Sequence, residues 1–159
     1  MLTDFLGAIW RRLPGRVRRS VMRLGHRRFT ATAGALIFDD DNRILLLDHV
    51  FRPDSGWGIP GGFLNRGEQP EAGLRRELRE EVGLELDAVE LLFTRSLHRP
   101  RQIEIYFRAK AIGTPHPRSF EIKRAEWFPL DALPEELPKD QRQLIQRAID
   151  PKRWAVARA

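Results

Sequence analysis

Between residues 70 and 82 the apolar positions Leu74, Leu78 and Val82 recur at every fourth residue, a spacing that places them on one flank of a helix. Pro70 occupies the first helical position and Gly83 stands just past the last, where a left-handed cap ends the helix. Upstream the period changes. Residues 30–38 are small, β-branched or aliphatic, and 43–50 contain the unbroken run Ile44-Leu45-Leu46-Leu47. The acidic turn Asp39-Asp40-Asp41-Asn42 between them predicts a hairpin. Residues 57–60 read as a short extended piece, after which Gly61-Gly62 opens the long turn that leads to the helix.

Three more strands are predicted, at 85–96, 102–112 and 121–128. In the second of these, Ile103, Ile105 and Phe107 alternate with polar residues, which makes Glu104 an outward-facing strand residue. A turn at 130–134 precedes a closing helix over 140–149, with Leu144, Ile145, Ala148 and Ile149 inward. Strands clustered around one internal helix, with a second helix at the end, predict the α/β class: an α/β/α sandwich with a central mixed β-sheet over residues 30–150.

Residues 1–29 form a separate arm, and 151–159 a C-terminal tail. In the arm, Leu6, Ile9, Trp10, Leu13, Val17, Val21 and Leu24 follow a three-to-four spacing that predicts a basic amphipathic helix, broken at Pro14-Gly15. The arm is too short and too charged to cross a bilayer, and its apolar run precedes its positive charge, the reverse of a secretory signal.

Composition changes this picture in two places. The 159-residue chain has no cysteine, which excludes thiol catalysis, disulfides and Cys-rich zinc sites and fits a cytoplasmic location. The net charge of +6 is concentrated in the arm, where eight arginines face one acid, Asp4. That leaves 20 basic and 21 acidic side chains for residues 30–159. Such an arm suits packing on the domain or on a partner subunit in a homodimer, contact with an anionic membrane surface, or contact with RNA.

The chemistry is carried by Arg76-Glu77-Leu78-Arg79-Glu80-Glu81. At about 100° per residue, Glu77, Glu80 and Glu81 fall within an arc of roughly 100° on one helix face. Three like charges so close require a neutralising cation, and an oxygen-only ligand set suits Mg²⁺ or Mn²⁺. The competing reading is a solvated face on which Arg75, Arg76 and Arg79 make i,i+4 pairs. Gly61-Gly62, Glu68 and Gly83 at fixed offsets favour the metal site over that reading.

Gly62, Glu68, Arg76, Glu77, Leu78, Glu80, Glu81, Gly83 and Leu84 fill every fixed position of a known motif. On these residues the chain resembles the Nudix hydrolases of the MutT-like type. The likeness runs from about residue 30 to 147 and takes in the 57–62 segment and Trp127-Phe128-Pro129-Leu130. The resemblance implies the sandwich fold and Mg²⁺-dependent hydrolysis of a nucleoside diphosphate linked to a variable group. It assigns metal ligation to Glu77, Glu80 and Glu81 with a main-chain carbonyl near Gly61, and a structural pairing to Glu68 and Arg76. The catalytic base is left open between Glu80 and Glu121.

For the substrate, the compact domain resembles enzymes that cut nucleoside or deoxynucleoside triphosphates to a monophosphate and pyrophosphate. Pro100, sixteen residues past Leu84, instead matches a position associated with hydrolysis of ADP-ribose and related nucleoside diphosphate sugars. RNA 5′-pyrophosphohydrolysis aided by the arm, and a non-catalytic nucleotide-binding module, complete the alternatives. Arg52, His98, Arg99 and Arg101 are candidates to bind phosphates, and Phe51, Trp57 or Phe63 to stack on a base.

Overall fold

The computed structural model describes residues 2–25, 28–52 and 55–150. Arg27 of the arm and the tail 151–159 lie outside the described residues. The elements, in order, are α1 (Leu2–Arg12), α2 (Gly15–Gly25), β1 (Thr30–Phe38), β2 (Ile44–His49), β3 (Trp57–Gly58), β4 (Gly61–Phe63), α3 (Pro70–Val82), β5 (Glu85–Leu97), β6 (Gln102–Ile112), β7 (Ile122–Phe128) and α4 (Lys139–Ile149).

Seven strands form one sheet in the order β3-β2-β1-β6-β5, with β4 also paired to β1 and β7 to β2. β1 and β6 run parallel from Thr30↔Gln102 to Phe38↔Lys110, whereas the other pairings are antiparallel. The sheet is therefore mixed. Ala33, Ala35, Ile37, Leu45 and Leu47 point to one face, where they meet Leu74, Leu78 and Val82 of α3. Leu36, Phe38, Ile44 and Leu46 point to the other, where they meet Leu144, Ile145 and Ala148 of α4. Because both faces of β2 are covered, its sequence is a continuous apolar run rather than an alternation. Burial of two such layers in place of disulfides is what stabilises a chain of this size.

The hairpin between β1 and β2 closes through Asp39, whose Oδ1 accepts the Arg43 amide at 2.8 Å, with Asn42 at φ 60°. Gly83 ends α3 at φ 68° and ψ 22°, its amide donating to Arg79 O. The break in the arm falls at Pro14, whose carbonyl accepts the amides of Val17 and Arg18 at 2.9 and 3.2 Å. Among the described residues no helix is long and apolar enough to cross a membrane.

Ile149, expected inward, is exposed at the end of α4, and a second expectation also needs correction. Gly61-Gly62 does not open a turn: the pair lies in β4, in register with Gly34 and Ala33 of β1. The reason is steric. A Cβ at Gly61, whose φ is +146°, would sit 2.2 Å from Ala33 O, so only a residue without a side chain lets these strands close.

Candidate active site

The acidic face of α3 is turned away from its apolar stripe, toward β4 and the loops beside β2 and β7. Glu77 lies against β4, so closely that a Cβ on Gly62 would be 2.3 Å from its carboxyl carbon. One turn further on, Glu81 is 8% exposed, and its Oε2 has no hydrogen-bond partner. Burial pushes the Glu81 carboxyl up to about 8, and the neighbouring charge of Glu77 adds to the effect. Arg52 opposes this from across the site, while Glu121 and Glu80 reinforce it.

Arg76 organises the surrounding charges. Its Nε and Nη2 grip Glu68 Oε1 and Oε2 at 2.9 and 3.0 Å, and Nη2 also donates to Phe63 O at 3.1 Å. Its Nη1 reaches Glu77 Oε1 at 2.8 Å and Glu80 Oε2 at 3.2 Å. Glu68 further accepts the Asn65 amide at 2.7 Å. These bonds, chiefly those from Arg76, hold Glu68 down at about 2. Arg76 thus ties the loop before α3 to the helix.

Among the described residues no three acids or imidazoles converge on a common point. Glu77 and Glu80 are instead drawn to Arg76, which supplies the positive charge their proximity demands. The donor set nevertheless fits a hard divalent cation: three carboxylates on one face, one of them buried with an unpartnered oxygen.

Glu121 lies near enough to this face for its charge to act on Glu81. The carbonyls at the end of α3 accept amides from the β6–β7 loop: His116 to Val82 at 2.9 Å, and Arg118 and Ser119 to Glu81 at 2.8 and 3.3 Å. Glu121 follows directly, its own carbonyl accepting the Val50 amide at 2.8 Å.

Beside the acids a cavity of about 200 Å³ opens, lined in part by Arg52, Phe63, Gln102, Glu104, Tyr106 and Gln141. Arg52 joins the two regions. Its guanidinium fills the space above Gly58, and Glu81 is the strongest charge opposing the effect of burial on it. Phe63 is 61% exposed at the cavity edge.

Glu104 is not outward-facing. Its side chain is 12% exposed and accepts from Arg95 Nε, from Gln102 Nε2 at 3.0 Å and from Tyr106 Oη at 3.2 Å. The alternation that opposed it to Ile105 was sound, but β6 lies inside the sheet, so its second face borders the cavity rather than solvent. Trp57 also needs correction as a base-stacking candidate. It is 7% exposed in the core against Phe128, with Arg124 4.7 Å from its ring, which leaves no free face.

Arg99 and Arg101 are exposed in the β5–β6 turn and are not among the residues lining the cavity; His98 shares that turn. Phe51 is exposed and meets Phe120 edge to face. Sequence reasoning missed Gln102, Tyr106 and Gln141. The first two could have been found with Glu104 as a polar i, i+2, i+4 set on one face of β6. Gln141, whose Oε1 accepts the Ile59 amide at 3.1 Å, had no local signal.

A mixed sheet between two helices thus carries acids projecting from one helix beside a cavity. The chain belongs to the NUDIX domain family, which it matches over residues 28–148. It is 39% identical over 110 residues to the NAD-capped RNA hydrolase NudC of Pseudomonas aeruginosa, covering 65% of this chain and 39% of that protein. The chain therefore spans about two-fifths of the length of that relative. It is 35% identical over 123 residues to the ADP-ribose pyrophosphatase of Methanocaldococcus jannaschii, covering 74% of this chain and 70% of that one. Among solved structures it resembles a MutT NUDIX hydrolase from Burkholderia pseudomallei at a TM-score of 0.68 and 28% identity, covering 76% of this chain and 98% of that one. Hydrolases of this family generally use divalent ions such as Mg²⁺.

Proposed function

We propose that this chain cuts the pyrophosphate link between adenosine 5′-phosphate and a second phosphorylated group, with ADP-ribose and NAD-type dinucleotides as its substrate class. The observation supporting hydrolysis at this place is the buried, unpartnered Oε2 of Glu81, on a face shared with Glu77 and Glu80 and opposed by Arg52 at the cavity. The adenosine side is supported by two relatives, one named for NAD-capped RNA and the other for ADP-ribose. Both substrates contain ADP.

Glu77, Glu80, Glu81 and the Gly61 carbonyl would hold Mg²⁺, or Mn²⁺ in its place, which supplies an acidified water and charge neutralisation for the phosphates. The remaining work belongs to the chain. Arg52 binds a phosphate oxygen at the cavity mouth, while Phe63 packs on a nucleoside ring. Glu121 accepts the proton of the attacking water. It is preferred to Glu80 because Glu80 is engaged by Arg76, whereas Glu121 is set off the helix on a loop fastened to Glu81.

A second reading, hydrolysis of nucleoside triphosphates to a monophosphate and pyrophosphate, is favoured by the coverage of nearly the whole Burkholderia MutT structure. Product chromatography after incubation with ADP-ribose, NADH, nucleotide sugars and triphosphates, with Mg²⁺ and then Mn²⁺, separates the two. AMP with ribose 5-phosphate, or AMP with reduced nicotinamide mononucleotide, is the expected result. Turnover confined to triphosphates with pyrophosphate released would select the second reading.

A further inference from the structure

The two arm helices present apolar side chains that belong to neither core cluster. Phe5 is 64% exposed, and Leu6, Ile9, Val17 and Val21 are also exposed. α4 provides the internal contrast: it is equally amphipathic in pattern, yet Leu144, Ile145 and Ala148 are buried against the sheet. At about 100° per residue, Phe5, Leu6 and Ile9 project within roughly 100° of one another on α1, and Val17 and Val21 within about 40° on α2. Arg11 lies opposite the first group, and Arg16 and Arg19 at least about 100° from the second. All three arginines are exposed.

We propose that α1 and α2 seat the protein on an anionic phospholipid surface, with the apolar faces at the acyl boundary and the arginines among the headgroups. Charge selects this occupant. The arm carries eight arginines against one acid, whereas residues 30–159 are nearly balanced, so a second copy of the chain has no large net negative charge to draw it. An RNA backbone would satisfy the arginines but leave Phe5, Leu6, Ile9, Val17 and Val21 in water. A lipid interface satisfies both features at once, and helices of this type lie in the plane of the membrane rather than crossing it. The hinge at Pro14 leaves each 11-residue helix to align separately with that plane. This inference is independent of which pyrophosphate is cut.

The test is flotation of the 159-residue chain with phosphatidylcholine vesicles and with vesicles in which roughly a quarter of the lipid is phosphatidylglycerol, at low and physiological salt. Partition at least about tenfold stronger into the anionic vesicles, weakening with salt, is expected. The double variant Phe5→Asp/Ile9→Asp should abolish it. Arg16→Glu/Arg19→Glu should reduce it at least about tenfold while leaving residual binding to neutral vesicles unchanged. Both variants should keep wild-type turnover in solution, which shows that the domain remains folded. Equal partition into neutral and anionic vesicles would overturn the proposal, as would binding that survives Phe5→Asp/Ile9→Asp. So would a dimer in light scattering that Ile9→Asp dissociates, or tight single-stranded RNA binding indifferent to the two aspartates.

Discussion

The amide of Arg118 donates to the carbonyl of Glu81 at 2.8 Å, so the residue whose carboxylate is buried in the site also anchors the loop that carries Glu121. Two acids distant in sequence are thereby linked through one loop. If Glu121 accepts the water proton, Glu121→Gln should lower kcat by about two to three decades, with little change in KM. A Glu121→Gln enzyme retaining wild-type turnover would return the role to Glu80.

Glu77→Gln, Glu80→Gln and Glu81→Gln should each lose at least about two decades of turnover without loss of fold. Circular dichroism and steady-state kinetics on the same preparations check both halves. Wild-type activity in all three would remove the acids from the chemistry.

Glu81→Gln should also make the metal-free protein more stable. The Glu81 carboxyl titrates at about 8 in the folded chain, above its ordinary 4.5, because burial disfavours its charge. The stability contributed by keeping it neutral is complete below 4.5 and is lost as pH rises through about 8. Thermal melts in EDTA should therefore fall across that window for wild type and stay flatter for Glu81→Gln. At pH 8 the variant should melt a few degrees higher, on the order of 3–8 °C.

Glu68 has the opposite sign. Arg76 holds its carboxyl at about 2, below its ordinary 4.5, so its contribution is present above 4.5 and is lost as pH falls through about 2. Burial lowers His49 from 6.5 to about 4, and the accompanying loss of stability falls in that earlier acid window. Acid titration followed by tryptophan fluorescence should show Glu68→Gln removing only the lower step. Its turnover should drop less than about tenfold, since Glu68 acts through Arg76 and the loop.

Gln102→Ala and Glu104→Gln should raise KM for the nucleotide by about five- to fifty-fold while kcat changes little. The base preference in a substrate panel should shift with them. Unchanged KM and preference in both would place the nucleoside elsewhere.

The acidic helix was legible because its information is local: Pro70, Gly83 and three glutamates within one turn and a half define start, stop and face. The sandwich was legible for the same reason, through Ile44–Leu47 and the 102–112 alternation. The cavity was not. Its polar wall joins Gln102 and Glu104 on β6 to Gln141 on α4 and Arg52 beyond β2, and no spacing records that meeting. Trp57 illustrates the converse: nothing in its neighbours distinguishes an indole that stacks on a base from one that fills the core beside Phe128.

A methyl added at position 62 would lie 2.3 Å from the Glu77 carboxyl carbon, so that carboxylate must move to admit it. The smallest change a protein can make, one hydrogen for one carbon, would there push Glu77 out of place and cost the chain its chemistry while its sheet and helices stayed assembled. A library that randomises this stretch should recover a single letter at that codon among active clones, and a broad alphabet among clones selected only for folding.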